Sequence, residues 1–328
     1  MELALYGDDG FYTSNGSAGR RGDFITSPEV GPLFGAVIAR ALDAWWREFG
    51  EPHGFTVVEV GAGPGTLARS ILDARPACLE SGRYVAVEVS DVQRARHPEG
   101  VTSQRDMPDG PFVGVIIANE LLDNLPFDLC VYDNGWREAW VAANGDSFVE
   151  VLRPLSNPSP LLPAVAVHGA RVPVQAPAGE WLRDALGRLS SGRVLLFDYC
   201  SASTAVAAAS PWREWLRTYV GHERGADPLA DPGSRDITAD VAIDQLALDV
   251  EPTVVTTQRD WLVDLGIEGL VDEGRRMWRE RATAPDVVAL RARSRVGESE
   301  ALLEPEGLGG FVVLEWHVDT ADVPGVDR

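Results

Sequence analysis

The stretch Thr56-Val57-Val58-Glu59-Val60-Gly61-Ala62-Gly63-Pro64-Gly65 decides the reading of this 328-residue chain. Residues 55–60 are β-rich and apolar on both faces, as a parallel strand covered on both sides should be. The glycines that follow permit a tight turn and let the backbone approach a ligand that side chains would exclude. A helix read over 66–79 comes next, and its N-terminal amides point at whatever occupies the turn. Strand, glycine turn and helix in this order form the ligand-binding end of an open α/β sheet.

Outward from this unit, further strands are read over 84–89, 112–118 and 194–199, with a helix over 182–189 before the last. Such alternation predicts an α/β fold, a doubly wound Rossmann-like sheet with helices on both faces. Upstream, residues 1–27 are rich in glycine and serine and read as a loop-like arm. A helix then starts at Thr26-Ser27-Pro28-Glu29, which offers an N-cap hydroxyl, a first-turn proline and a capping-box glutamate. Phe34, Val37, Ile38, Ala41, Leu42 and Trp45 follow at helical spacing until Gly50. Two stretches break the rhythm. Residues 124–180 hold short strand-like pieces and a proline-rich run, read as an inserted hairpin or small lobe. Residues 200–250 read as a second insertion near the sheet's C-terminal edge, and 311–317 as a late strand.

Composition excludes several classes. Lys+Arg number 29 and Asp+Glu 50, giving a net charge of −21, which repels nucleic-acid backbones and anionic lipid. Apolar runs are too short to span a bilayer. Three widely spaced cysteines, Cys78, Cys130 and Cys200, support neither a disulfide framework nor a metal knuckle, and read as buried reduced thiols. With no basic or Arg-rich leader at the start, the expected location is the cytoplasm.

The turn distinguishes two nucleotide-binding readings. A dinucleotide fingerprint needs a glycine where Thr66 stands. The G-x-G-x-G pattern after an acidic strand end instead resembles motif I of class I S-adenosylmethionine methyltransferases. Glu88, at the end of the next strand, is placed to accept both ribose hydroxyls; the plainer alternative is a solvated strand-end glutamate. Asp106 and Met107 could border an adenine, the acid accepting its amino group and the thioether packing on the ring. The strand over 112–118 ends in Asn119-Glu120-Leu121-Leu122-Asp123-Asn124-Leu125-Pro126. Methyl transfer asks mainly for alignment in a water-poor cavity. Glu120 and Asp123 lie three apart, so on a helical turn they share a face and could grip a guanidinium. The alternative is that Asn119 or Asp123 caps the next turn.

Beyond these residues, the chain resembles the MidA-like family over roughly 3–316. The matching signatures are Leu5-Tyr6, Gly10-Phe11-Tyr12, Gly22-Asp23-Phe24-Ile25-Thr26-Ser27-Pro28-Glu29, Glu59 to Thr66, Asn119 to Pro126, Phe197-Asp198-Tyr199, Arg217-Thr218-Tyr219 with His222, and Asp236-Ile237-Thr238. Mitochondrial members of that family are arginine methyltransferases that aid complex I assembly. The resemblance implies a S-adenosylmethionine-binding core over 51–123 and 181–328, a small lobe over 124–180, and a segment 1–50 covering the cofactor site. It implies cofactor contacts from Gly22, Asp23, Phe24, Thr26, Glu59, Gly61, Gly63, Gly65, Glu88, Asp106, Met107 and Asn119. Glu120 and Asp123 would be catalytic, and Tyr199, Arg217, His222 and Asp236 would contact the acceptor, although the last three could equally form a structural network. Departures exist too: Cys200 replaces a glycine, Asp240 a histidine and Ala242 an aspartate. The expected activity is therefore protein-arginine N-methylation. Small-molecule O- or N-methylation and a non-catalytic, cofactor-binding assembly role are the alternatives. A protein or small-molecule acceptor and a second copy of the chain are the expected partners, with no metal, nucleic acid or membrane. His53, His97, His168 and His317 match no motif and receive no role.

Overall fold

A computed structural model describes residues 1–14, 26–145, 147–220, 223–225, 227–248 and 250–319. The chain divides into two compact units. One holds Ile25–Asn119, Ala185–Phe197 and Pro252–Arg328; the other holds Met1–Phe24, Glu120–Asp184 and Asp198–Glu251.

The first unit is built on a seven-stranded sheet: β1 (Thr56–Val60), β2 (Arg83–Val87), β3 (Val101–Gln104), β4 (Phe112–Asn119), β5 (Leu189–Asp198), β6 (Val254–Thr257) and β7 (Val312–Val318). Their order across the sheet is β3-β2-β1-β4-β5-β7-β6. The pairs β1–β2, β1–β4, β2–β3 and β4–β5 are parallel, and β6 runs antiparallel to β7. All five residues of β1 are buried, as its unbroken apolar run requires. Strand order reverses between β1 and β4, the place where open α/β sheets bind ligands.

Helix Pro32–Glu48 buries Leu33, Phe34, Val37, Ile38, Ala41, Leu42 and Trp45, the face its periodicity foretold. Phe34 and Trp261 each meet the Phe197 ring edge-on, with centroids 5.1 Å apart. Full burial of such side chains contributes roughly 1.5–3 kcal/mol apiece. The start of this helix differs from the sequence reading. Ser27–Val30 form one turn, Gly31 is extended, and the helix restarts at Pro32, because a residue preceding proline disfavours the α region. Thr26 makes no side-chain cap. Glu29 closes no capping box here; its Oε1 accepts a hydrogen bond from the Thr66 hydroxyl at 2.6 Å. The helix read over 66–79 stops at Ala74 for the same reason. Arg75 is left-handed (φ 54°) before Pro76, and Ala77–Leu79 form a 3-10 turn.

The second unit contains the expected hairpin, extended into a four-stranded antiparallel sheet in the order Ser147–Pro154, Trp136–Asn144, Asp128–Tyr132, Arg171–Val174. Leu216–Val220 pairs antiparallel with Asp236–Ala239. Its core includes Leu5, Phe11, Cys130, Val172, Trp215, Leu216 and Ile237. The amino-terminal arm is not a loop throughout: Glu2–Tyr6 and Phe11–Ser14 are helical, and Leu5 and Phe11 anchor them. Cys78 and Cys130 are buried thiols as expected, whereas Cys200 is half-buried. Among the described residues, no helix is long and apolar enough to cross a membrane.

Candidate active site

In the sheet unit, β1 runs into a turn whose glycines all take left-handed backbone: Gly61 at φ 71°, Gly63 at 52° and Gly65 at 75°. The Gly65 amide donates to the Ala62 carbonyl at 2.9 Å, and the Ala62 amide to the Val87 carbonyl at 3.0 Å, tying the turn to β2. A Cβ on Gly63 would meet nothing within 4 Å, so the turn is open on that side. Other residues cannot adopt these angles without strain, which explains the glycines before any ligand is invoked.

Glu88 follows β2 and is half-buried. Its Oε2 accepts from the Gly63 amide at 2.9 Å and its Oε1 from the Ser90 amide at 2.8 Å. The carboxylate is thus aimed at the turn, not lost in bulk water. Each oxygen retains acceptor capacity, since an ionised carboxylate offers about four lone-pair sites. Glu59 is only 5% exposed, and its Oε2 accepts from the Tyr84 hydroxyl at 2.7 Å. Burial pushes its carboxyl up to about 8, against the opposing pull of the Tyr84 and Ala68 hydrogen bonds. It therefore braces the strand and helix that flank the turn.

Asp106 is exposed beyond β3, while Met107 is half-buried with its carbonyl accepting from Arg188 at 3.2 Å. Asn119 closes β4. Gly61–Gly65, Glu88, Asp106, Met107 and Asn119 thus follow the carboxyl ends of β1, β2, β3 and β4, which are neighbours in the sheet. Thr26 is buried and its carbonyl accepts from the Glu29 amide at 2.9 Å. Gly22, Asp23, Phe24 and His222 lie outside the described residues.

In the other unit, the segment after β4 makes an acidic turn. Glu120 is left-handed (φ 51°), and the 3-10 turn Leu122–Asn124 begins beyond it. Helical spacing therefore does not relate Glu120 to Asp123. The turn is held by Asp198, whose Oδ2 accepts from the amides of Leu122 at 2.9 Å and Asp123 at 3.4 Å, while Oδ1 accepts from the Tyr199 amide at 2.9 Å. Antiparallel register sets Arg217 opposite Thr238 and Tyr219 opposite Asp236, so the period-two rule puts all four on one face. The Thr238 hydroxyl donates to Asp123 Oδ2 at 2.5 Å. Asn124 Nδ2 and the Tyr12 hydroxyl both donate to Asp236 Oδ1, at 3.1 and 3.0 Å. Tyr6 stacks on Tyr12 and donates to the Asn124 carbonyl at 3.2 Å. Arg217 pairs with Asp240 and lies 4.9 Å over the Tyr199 ring.

These carboxyls are buried. Burial, opposed by the Thr238 hydrogen bond and Arg217, pushes Asp123 up to about 6. Burial and then the charge of Asp123 push Asp236 up to about 7. Asp198 is held well above the usual carboxylate range by burial, followed by Asp123 and Glu120. Asp123 Oδ1 is fully buried and has no hydrogen-bond partner among the described residues. Sequence reasoning missed Asp198, Asn124, Thr238 and Tyr12 as parts of this network. The signal was there for Asp198, an acid that ends a continuous apolar strand.

Residues 37–258 match the S-adenosyl-L-methionine-dependent methyltransferase family. The chain belongs to it, as a MidA-like methyltransferase. The family likeness extends to relatives named protein arginine methyltransferase NDUFAF7, mitochondrial. That of Drosophila melanogaster is 29% identical over 275 residues, 71% of this chain and 61% of the relative. That of Mus musculus is 28% identical over 304 residues, 79% and 67% respectively. The chain thus spans 61% to 67% of the length of these two curated relatives. A structure from Burkholderia thailandensis, solved with S-adenosylhomocysteine bound, superposes with a TM-score of 0.83 at 26% identity, covering 96% of this chain and 86% of that one. The MidA-like likeness and the class I Rossmann-like fold expected from the sequence are both established by these matches. The cytoplasmic expectation is not: the curated relatives are named mitochondrial, which overturns it. Cysteine usage separates oxidising from reducing compartments and carries no signal between two reducing ones.

The glycine turn and Glu88 fit S-adenosylmethionine. Gly63 leaves open space where a side chain would stand, and Glu88 keeps acceptor sites for a ribose diol.

Proposed function

We propose that the protein is a S-adenosylmethionine-dependent protein-arginine N-methyltransferase. Bound S-adenosylmethionine supplies an electrophilic methyl group on a sulfonium. Gly61, Gly63 and Gly65 shape its turn and Glu88 holds its ribose. Glu120 and Asp123 orient the acceptor, and Asp198 holds the backbone that carries Asp123.

The observation that carries the acceptor assignment is Asp123. One of its oxygens is tied to Thr238, and the other is buried without a donor among the described residues. Such an atom costs stability until a donor arrives. A guanidinium brings planar, fork-shaped N–H donors and a charge that cannot be neutralised by deprotonation. Crowding among the carboxyls at 120, 123, 198, 236 and 240 is relieved by a cation, and Arg217 already stands there paired with Asp240. The names of the curated relatives support the same acceptor.

The test is incubation of the purified chain with methyl-labelled S-adenosylmethionine and a cell extract, followed by acid hydrolysis. Labelled methylarginine from the protein fraction is expected. Label confined to small molecules overturns the arginine acceptor, and no label at all overturns the methyltransferase reading.

A further inference from the structure

His97 matched no motif, yet it reaches the glycine turn. Its Nε2 lies 2.9 Å from the Gly63 carbonyl and its Nδ1 lies 2.8 Å from the Ser103 hydroxyl in β3. A carbonyl oxygen can only accept, so Nε2 carries the hydrogen. Nδ1 faces the Ser103 hydroxyl, which can donate or accept. The relay joins Ser103, His97 and Gly63. Nearby packing agrees: a Cβ on Gly65 would stand 2.8 Å from Pro98 Cδ and 3.2 Å from His97 Cδ2, so this segment lies directly against the turn. The Arg96 carbonyl, next in the chain, accepts from Arg69 of the following helix at 3.2 Å.

The consequence concerns the two peptide planes on either side of the Gly63 Cα. Its N–H belongs to one plane and is held by Glu88; its C=O belongs to the other and is held by His97. Glycine is the residue with most backbone freedom to lose on ordering. A turn pinned on both sides has lost that freedom before a ligand arrives, so less affinity is spent on ordering.

We propose that His97 is a positioning residue for the S-adenosylmethionine turn, fixing the Gly63–Pro64 peptide that Glu88 alone leaves free to rotate. The proposal rests on the cofactor reading above. It separates this chain's turn from one shaped by its glycines only.

The test uses the full chain and S-adenosylhomocysteine, followed by titration calorimetry. His97→Ala weakens binding about 5- to 10-fold, the loss of one backbone hydrogen bond with its ordering effect. His97→Gln places an amide N–H near the Nε2 position and restores affinity to near wild type. His97→Asn, whose amide is one carbon shorter, does not. In the ligand-free protein, hydrogen exchange across 61–65 speeds up in His97→Ala and returns towards wild type in His97→Gln. This last readout needs no ligand and reports the turn itself. Should the alanine variant fail to fold, Ser103→Ala tests the outer end of the relay, with a loss of about 2- to 3-fold expected. Wild-type affinity and exchange in His97→Ala overturn the brace alone. A wild-type chain that binds no S-adenosylhomocysteine overturns the cofactor reading and the brace with it.

Discussion

The glycine turn after β1 is held by Glu88 and His97, 25 and 34 residues from Gly63. The acidic turn after β4 is held by Asp198, 76 residues from Leu122, by Thr238, 115 from Asp123, and through Asp236 by Tyr12, 224 residues away. The first is closed by elements adjacent in one sheet. The second exists only when the amino-terminal helices, the Leu216–Val220 and Asp236–Ala239 pair and the end of β5 are all in place. Their charges differ as well. Glu88 is half-exposed and bonded to two amides, whereas Asp123, Asp198 and Asp236 are buried together and crowd one another. A locally closed turn binds by shape. A buried acidic turn has its affinity for a cation, its proton content and its folding linked.

The strongest way to break that contrast is to remove the buried acid expected to face the acceptor. Asp123→Ala should lower methyl transfer to arginine by about 300- to 1,000-fold, comparable to losing one preorganised electrostatic contact at a reacting centre. Affinity for S-adenosylhomocysteine should stay that of wild type, because the glycine turn is untouched. Steady-state kinetics and calorimetry on the same preparation decide it. A parallel collapse of both would erase the division of labour between the turns.

Linkage offers the next test. Asp236 sits at about 7 in the folded chain against an ordinary value of 3.8, because of burial and the neighbouring Asp123 charge. Between those values the folded chain holds a proton that the unfolded chain has released. The Asp236 contribution to stability therefore falls as pH rises from about 4 to about 7 and flattens above. Asp236→Asn keeps the acceptor for Tyr12 and Asn124 but cannot ionise. It should remove about 2–4 kcal/mol of that pH-dependent loss, read by urea unfolding at pH 4.5 and 7.5. Glu59, pushed to about 8, contributes a slope of the same sign in the sheet unit and should be unaffected. An unchanged slope in Asp236→Asn would mean the acidic turn is not coupled to folding.

Glu88→Ala probes the other side. It removes the ribose acceptor and leaves the Gly63 and Ser90 amides without their partner, so S-adenosylhomocysteine should bind about 10- to 30-fold more weakly. Full affinity in this variant would remove Glu88 from the cofactor site.

Legibility in the sequence follows the same division. Thr56–Gly65 and Glu88 could be read because strand, turn and helix are contiguous and each carries its own periodicity or glycine signal. β1, β2, β4 and β5 were legible as strands because each carries a buried apolar run. β3 and β6 escaped because they are sheet edges with sequences Val-Thr-Ser-Gln and Val-Val-Thr-Thr, short and without a buried face to impose a pattern. Gly31 and Arg75 ended helices early because prolines at 32 and 76 outweighed the apolar spacing. Glu120 and Asp123 are related by a turn and not by the helix repeat their spacing suggested. Tyr12, Asn124, Asp198 and Thr238 were present in quoted signatures, yet their partners depend on pairing over long separations. No local pattern encodes that.

The smallest expected effect sharpens the comparison most finely, because the two regions contain chemically matched pairs. Tyr84 donates to Glu59 at 2.7 Å beneath the glycine turn, and Tyr12 donates to Asp236 at 3.0 Å beside the acidic turn. Both carboxyls are pushed towards or above neutrality by burial, so at pH 6 each bond is chiefly between neutral groups. Tyr84→Phe and Tyr12→Phe should each cost about 1 kcal/mol in urea unfolding. Their functional readouts should then separate. Tyr12→Phe withdraws the hydrogen bond that lowers Asp236, so the carboxyl rises further and the acid limit of methyl transfer moves up in pH with it. Tyr84→Phe acts on an acid hydrogen-bonded to strand and helix, and should leave the pH profile in place. If both profiles shift alike, proton content is shared across the whole chain and the acidic turn has no titration of its own.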